Sequence, residues 1–305
     1  MSAQRWIACG LVVALLGSVA SDADCEEIRD YYAEPGLQPV GVPDDQGFGD
    51  VVDPFSGTLQ LSYTDIVVPG PGGLDIVVNR SYVSPRGVPG SHRAFAIGWT
   101  LHFGRIVVPS RHASKICTQQ LWSVTTADNP SIEKPDGSRE LLVLDSSALP
   151  GYRLITKSNW TAECIGNATG GLRVHSPEGR TYDMNVIDTS GGDTSWYVSA
   201  ITDLDGNKIT VTYATNPTGI KYLRSVTRTD SSGTPILVFD YDDIGTSNIR
   251  LKSITVESGP SPQVWTYGYV ATGVAGHFQL TRVVRPDGKS WVYDYFPVAA
   301  PPKKA

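Results

Sequence analysis

Val284-Arg285-Pro286-Asp287-Gly288-Lys289-Ser290-Trp291-Val292-Tyr293-Asp294-Tyr295 is the stretch that decides the fold. Asp-Gly supplies the positive φ angles of a tight two-residue hairpin, and the proline before it stiffens the approach. The residues after the turn alternate, so Trp291, Tyr293 and Tyr295 share one face of a strand. The run before it, Leu280-Thr281-Arg282-Val283-Val284, is the natural pairing partner.

Working upstream, the same unit recurs in degenerate form. Pro135-Asp136-Gly137 leads into Leu141-Leu142-Val143-Leu144, and Pro177-Glu178-Gly179 into Tyr182-Asp183-Met184. Leu204-Asp205-Gly206 leads into Ile209-Thr210-Val211-Thr212-Tyr213. Two further units lack the acidic turn but keep the strands, Ile236–Tyr241 after Ser231-Ser232-Gly233 and Val264–Tyr269 after Ser258-Gly259-Pro260. One hairpin cannot bury its apolar face alone, whereas stacked neighbours can. The expected fold is therefore all-β, with antiparallel hairpin repeats forming a curled, open sheet. No segment sustains a 3.6-residue period, so almost no helix is expected.

Before the repeats, Leu59–Tyr63 and Leu74–Tyr82 alternate as half-buried strands, separated by Pro69-Gly70-Pro71-Gly72-Gly73. Gly98-Trp99-Thr100-Leu101-His102-Phe103 opens another. Residues 21–50, rich in Asp, Glu, Gly and Pro, read as an extended leader. Ahead of it, Arg5, the apolar run Ile7–Leu16 and Gly17-Ser18-Val19-Ala20 have the layout of a secretory signal, with cleavage expected after Ala20 or, second, after Ala23. The run is shorter than the about 20 apolar residues of a membrane span, and no other segment is expected to cross a membrane. The resulting division is 1–20 signal peptide, 21–50 leader, 51–110 amino-terminal β module, 111–197 β region with the first Asp-Gly hairpins, 198–296 repeats and 297–305 tail.

The net charge of −6 and the absence of a Lys/Arg stripe exclude nucleic acid as an expected partner. Signal cleavage removes Cys9 and leaves Cys25, Cys117 and Cys164. In an exported chain, Cys117 and Cys164 are the pair expected to form a disulfide, since Cys25 lies in the leader; a buried free thiol at either position is the alternative. The acids at Asp22 and Asp24 make a poor lipidation signal around Cys25.

Taken in order, Asp53-Pro54-Phe55-Ser56-Gly57, Thr64–Gly70, Asn79-Arg80-Ser81-Tyr82 and Gly98-Trp99-Thr100 resemble the amino-terminal module of the Rhs/YD-repeat family. Val292-Tyr293-Asp294-Tyr295 and Phe239-Asp240-Tyr241-Asp242 are similar to that family's tyrosine–aspartate repeats. The resemblance covers about residues 50–296. It implies a β-sheet shell, which in long members winds into a cocoon around a carboxy-terminal toxin released by a self-cleaving segment. Five or six repeat units fit an open sheet resembling part of such a shell.

The remaining motifs are weighed against plainer readings. Asp203-Leu204-Asp205-Gly206-Asn207 places oxygen donors at alternate positions, as calcium requires, but its glycine comes too early for an EF-hand loop and Lys208 follows. A hairpin turn accounts for the same residues. His92, His102, His112, His175 and His277 lack neighbouring cysteines or carboxylates that would complete a metal set, and are expected in loops or at the surface. No nucleophile elbow, zinc-protease or phosphate-loop motif occurs. Neither catalytic residue, cofactor nor metal is expected. The aromatic trios Trp265, Tyr267, Tyr269 and Trp291, Tyr293, Tyr295 are the candidate ligand face. Solvent-facing trios would stack a sugar or peptide, while burial favours a core-facing role. The function expected is an exported, non-enzymatic scaffold for cell-surface contact, display or toxin delivery. The alternatives are an amino-terminal fragment of a polymorphic toxin and a carbohydrate-binding β protein. Expected partners are a cell-surface glycan or protein, or a downstream toxin domain.

Overall fold

The computed structural model describes residues 50–52, 59–84, 94–109, 117, 129–144, 154–165, 171–191, 193–273 and 277–295. The expected signal peptide, both cleavage positions, Cys25, His92 and His112 lie outside them.

Two antiparallel sheets make up the described structure, and it contains no α-helix. The smaller has four strands in chain order: β1 (Asp50–Val52), β2 (Leu59–Val68), β3 (Ile76–Val83) and β4 (Trp99–Leu101). The larger has sixteen described strands. It begins with β5 (Arg105–Val108), β6 (Ser131–Glu133), β7 (Arg139–Leu141), β8 (Val143–Leu144), β9 (Leu154–Ile155) and β10 (Thr161–Cys164). Next come β11 (Leu172–His175), β12 (Thr181–Gly191), β13 (Asp193–Thr202), β14 (Lys208–Thr215) and β15 (Lys221–Arg228). The array ends with β16 (Leu237–Asp242), β17 (Arg250–Val256), β18 (Gln263–Ala271), β19 (Phe278–Val284) and β20 (Ser290–Val292).

From β8 to β20 each strand pairs with its sequence neighbour, as stacked hairpins must. The sheet is open and curled, not closed into a barrel. It forks at β13. Along one edge of that strand, Thr194–Tyr197 pair with β5, and Ala200–Thr202 pair with β14. Gly104 sits at the fork, its carbonyl accepting the Val198 N–H. Residues 105–108 thus leave the first module and open a side branch, β5-β6-β7.

A β-bulge recurs at the same place in successive units. Pairing slips between Asp183 and Met184, Thr212 and Tyr213, Asp240 and Tyr241, and Gly268 and Tyr269. In each case the residue left over is on the returning strand: Ser199, Arg224, Lys252 or Thr281. An extra residue bends the strand and increases its twist. It also breaks the two-residue alternation. Leu223 and Val226, Leu251 and Ile254, and Leu280 and Val283 are all buried, three positions apart.

The core lies between the sheets. Leu74, Ile76, Val78 and Trp99 of the smaller sheet meet Val211, Leu237, Phe239, Ile254, Leu280 and Val283 of the larger in one cluster. A second, smaller cluster of Ala94, Ile220, Tyr222 and Ile249 holds the segment entering β4 against the strand ends. The Ile97 N–H donates to the Phe278 carbonyl, and the Leu251 N–H to that of Ala94. The curl of repeats is thereby wrapped around the first module. No described helix is long and apolar enough to cross a membrane.

Candidate functional site

The alternation of β3 drives Ile76, Val78 and Arg80 inward, which buries a guanidinium completely. A buried charge needs a partner. Arg80 Nε donates to both carboxylate oxygens of Asp65 on β2, at 2.8 Å each. Tyr267 on β18 donates its hydroxyl to the same carboxylate at 3.1 Å, and Arg80 Nη1 donates to the Tyr293 hydroxyl. Four rings, Tyr63, Trp99, Trp291 and Tyr293, lie 4.8–5.4 Å from the guanidinium carbon. Their negative faces attract the cation, and they surround an Nη2 that has no hydrogen-bond partner among the described residues. Burial pushes the Asp65 carboxyl up from its ordinary value and works to lower Arg80. The guanidinium offsets the first only in part, while Asp65 and Tyr293 outweigh the second, which leaves Arg80 raised.

This cluster joins the two ends of the described chain. Trp99 Nε1 donates to the Tyr295 hydroxyl at 2.9 Å, which in turn donates to the Leu280 carbonyl at 2.8 Å. Tyr82 packs against Trp99 and Tyr295. All six aromatic residues proposed as a ligand face are accounted for in packing. Trp265 and Tyr267 are buried, and the other four are partly buried, with Tyr269, Trp291 and Tyr293 lying against the main core. Burial pushes the Tyr293 and Tyr295 hydroxyls up to about 12, and Tyr267 and Tyr269 well above the ordinary value.

A second buried cluster lies at the fork. Glu133 on β6 accepts from Arg105 Nε at 2.8 Å and from Arg139 at 3.4 Å, with Arg105 Nη2 2.7 Å away. His102, expected at the surface, is buried beside it. The Gly104 N–H donates to His102 Nδ1, which leaves the proton on Nε2, 3.2 Å from Glu133 but off the hydrogen-bond line. Burial works to raise the Glu133 carboxyl, but Arg105, Arg139 and His102 together hold it well below the carboxylate range. Burial likewise lowers His102, and Glu133 only partly opposes this.

Segments of the larger sheet grip the smaller one at its strands and at its β2–β3 loop. Ser62 and Ser81 donate to the Asp136 carbonyl, Arg180 to that of Gly73 and Arg228 to that of Pro69. The Asp203 carboxylate, one of the oxygens weighed for calcium, accepts from the N–H groups of Asp205 and Asn207 and from the Asn207 side chain, at 2.8–3.0 Å. Those donors, the Asn207 side chain foremost, lower its pKa. Among the described residues no three His, Cys, Asp or Glu converge as metal ligands. His175 faces Glu163 at 3.2 Å, and His277 is exposed. Cys117 and Cys164 stand at disulfide distance, their Cα atoms 5.7 Å apart.

Neither a family model nor a curated protein matches the sequence. Solved structures do. The chain is similar to the N-terminal domain of the effector protein SpvB from Salmonella typhimurium strain LT2, at 15% identity and a TM-score of 0.43, over 76% of this chain and 100% of that one. It is also similar to the Photorhabdus luminescens Tc holotoxin pore, at 15% identity and a TM-score of 0.49, over 84% of this chain and 16% of that one. A TcdB2-TccC3-Cdc42 structure matches at 14% identity and a TM-score of 0.44, over 76% and 15%. The chain therefore spans about one sixth of the Tc chains it matches.

Proposed function

We propose that this chain is an exported, non-enzymatic scaffold, a segment of a toxin-associated β-shell that serves cell-surface contact, display or toxin delivery. The observation that carries the reading is where the buried charge goes. Arg80, Arg105 and Glu133 are buried, and each engages an opposite charge that ties one strand to another. Arg80 and Asp65 hold the first module inside the last repeats, and Glu133 holds the side branch at the fork. Groups spent on such ties secure a wrapped shape, and the secretory signal expected at residues 1–20 would carry that shape out of the cytoplasm.

Two measurements test this. The protein recovered from producing cells is expected in the envelope or medium with Ser21 or Asp24 as its first residue. Recovery only from the cytoplasm with Met1 intact refutes export. A reporter fused after Ala305 is expected to be degraded when intact cells are treated with protease, and a reporter held inside the cell refutes display. Delivery is separated from stand-alone display by the coding sequence after Ala305: an in-frame run into further repeats and a catalytic domain selects delivery, and a stop selects contact or display.

A further inference from the structure

A histidine ring pins the fork at β13. His102 follows directly on β4 and is buried. Its Nδ1 accepts the Gly104 N–H at 3.0 Å, and the Gly104 carbonyl accepts the Val198 N–H at 3.1 Å. A single residue thus relays the ring to the strand from which β5-β6-β7 branches. Gly104 takes a φ of +112°, and a Cβ there would stand 3.2 Å from Val198 Cγ2, so the relay has little room to shift. Four strands or their ends present charged or titratable groups to the ring. Glu133 Oε1 on β6 lies 3.2 Å from Nε2, and Arg105 on β5 and Arg139 on β7 both reach the Glu133 carboxylate. The Tyr197 ring on β13 lies 6.3 Å away, its hydroxyl accepting from Arg105. With a neutral imidazole, two guanidiniums and one carboxylate leave the cluster one positive charge in excess. A second proton on the ring doubles that excess in buried surroundings. It also puts an N–H on Nδ1, facing the very N–H that Nδ1 accepts, so the first bond of the relay is lost.

We infer that His102 is an acid-sensitive latch, and that its protonation releases the side branch β5-β6-β7 from β13 while the repeats β14–β19 stay folded. The branch is lightly held. Its strands have 4, 3 and 3 residues, against 6 to 9 in β14–β19. Local opening is drawn from such short, sparsely bonded elements. When β5 leaves, β13 still pairs with β12 along most of its length. In the opened branch the ring is hydrated and titrates near about 6.5. In the closed fork burial holds it lower, with Glu133 opposing only in part. Opening therefore takes up a proton, and it becomes easier by up to about tenfold for each pH unit below about 6.5. Above that pH both forms are neutral at the ring and the latch does not respond. Glu133 stays ionised through the same window, so the response belongs to the histidine.

Hydrogen–deuterium exchange on the purified full chain, read at about pH 7.5 and about pH 5 and corrected for the intrinsic exchange rate, tests the latch. In the wild type, protection of residues 105–108 and 131–133 is expected to fall at least about tenfold at the lower pH, with β17–β19 unchanged. His102→Asn keeps an oxygen where Nδ1 stands and takes up no proton, so its branch is expected to be equally protected at both pH values. Arg139→Gln removes one cation from the cluster and is expected to reduce the fall to less than about half of the wild-type value. Wild-type protection that does not change, a fall shared equally by β17–β19, or an equal fall in His102→Asn overturns the inference. If His102→Asn does not fold, Arg139→Gln decides: a fall as large as in the wild type overturns the latch, and a smaller one upholds it.

Discussion

Replacing Arg80 by alanine removes the cation from inside the aromatic cluster and leaves the Asp65 carboxylate buried without the guanidinium, with the Tyr267 hydroxyl still donating to it. Breaking a buried pair by removing one partner costs about 3–5 kcal/mol, most of it from the uncompensated charge. The lost contacts with four rings add to the same side. Replacing both partners by apolar residues of similar size, as in Arg80→Met with Asp65→Leu, removes that charge and is expected to recover most of the loss. Trp99 and Trp291 flank the guanidinium, so their fluorescence follows unfolding in urea. With a urea slope of about 2–3 kcal/mol/M, Arg80→Ala is expected to lower the midpoint by roughly 1–2 M, and the double replacement by less than half of that. A single variant within about 1 kcal/mol of wild type, or a double replacement no more stable than the single, would refute the view that this pair ties the first module to the last repeats.

Three other outcomes are expected. His102 is buried with its pKa lowered, so the unfolded chain takes up a proton first and stability falls as pH drops below about 6.5. Glu133 is held ionised in the fold, so its contribution is present above about pH 4.5 and is lost as pH falls further; an unfolding free energy measured against pH in wild type and His102→Gln should lose the first step only in the variant. Cys117 and Cys164 close a separation of 47 residues, and replacing both by serine is expected to lower stability by about 4 kcal/mol in the loop-entropy picture; non-reducing peptide mapping that finds both thiols free would remove the basis for it. Gly137→Ala would set a Cβ 2.2 Å from Ser81 Oγ at a φ of +85°, whereas at Gly206, with nearly the same φ, nothing lies within 4 Å. Thermal melting should therefore show the larger loss for Gly137→Ala, and equal losses would argue against the grip of that turn on the first module.

The hairpin order was legible in the sequence because proline, acid and glycine mark the turns locally, and the Tyr/Trp strands after them alternate. The trios Trp265–Tyr269 and Trp291–Tyr295 do share a face in the structure, since the bulge beside β18 puts its extra residue on β19 and the β19–β20 pairing has no register shift. Strict alternation misreads the returning strands, where buried apolar residues fall three apart, as at Leu251 and Ile254. The clasp formed by Arg80, Asp65, Tyr267 and Tyr293 is less legible. Its signal was an arginine in the inward series Ile76, Val78, Arg80, which asks for a buried acid, but nothing local picks out Asp65, fifteen residues away, or Tyr267 and Tyr293, about two hundred away. The burial of His102 has no local signal either, because Glu133, the acid beside it, comes from a strand 31 residues downstream.

The recurrent bulge makes the curl additive. Each repeat of about 28 residues turns the sheet by a similar increment, as a tread does on a spiral stair. Gaining or losing a whole repeat would change how far the stair winds while leaving each tread intact. A single-residue insertion between Leu223 and Val226 would instead turn one tread's apolar side outward. The clasp sets a rule of its own: Arg80 reaches Tyr293 only because the intervening repeats complete the right amount of winding. Repeat number and the fit of the first module to the last are therefore not independent variables, and a chain that changes one must rebuild the other.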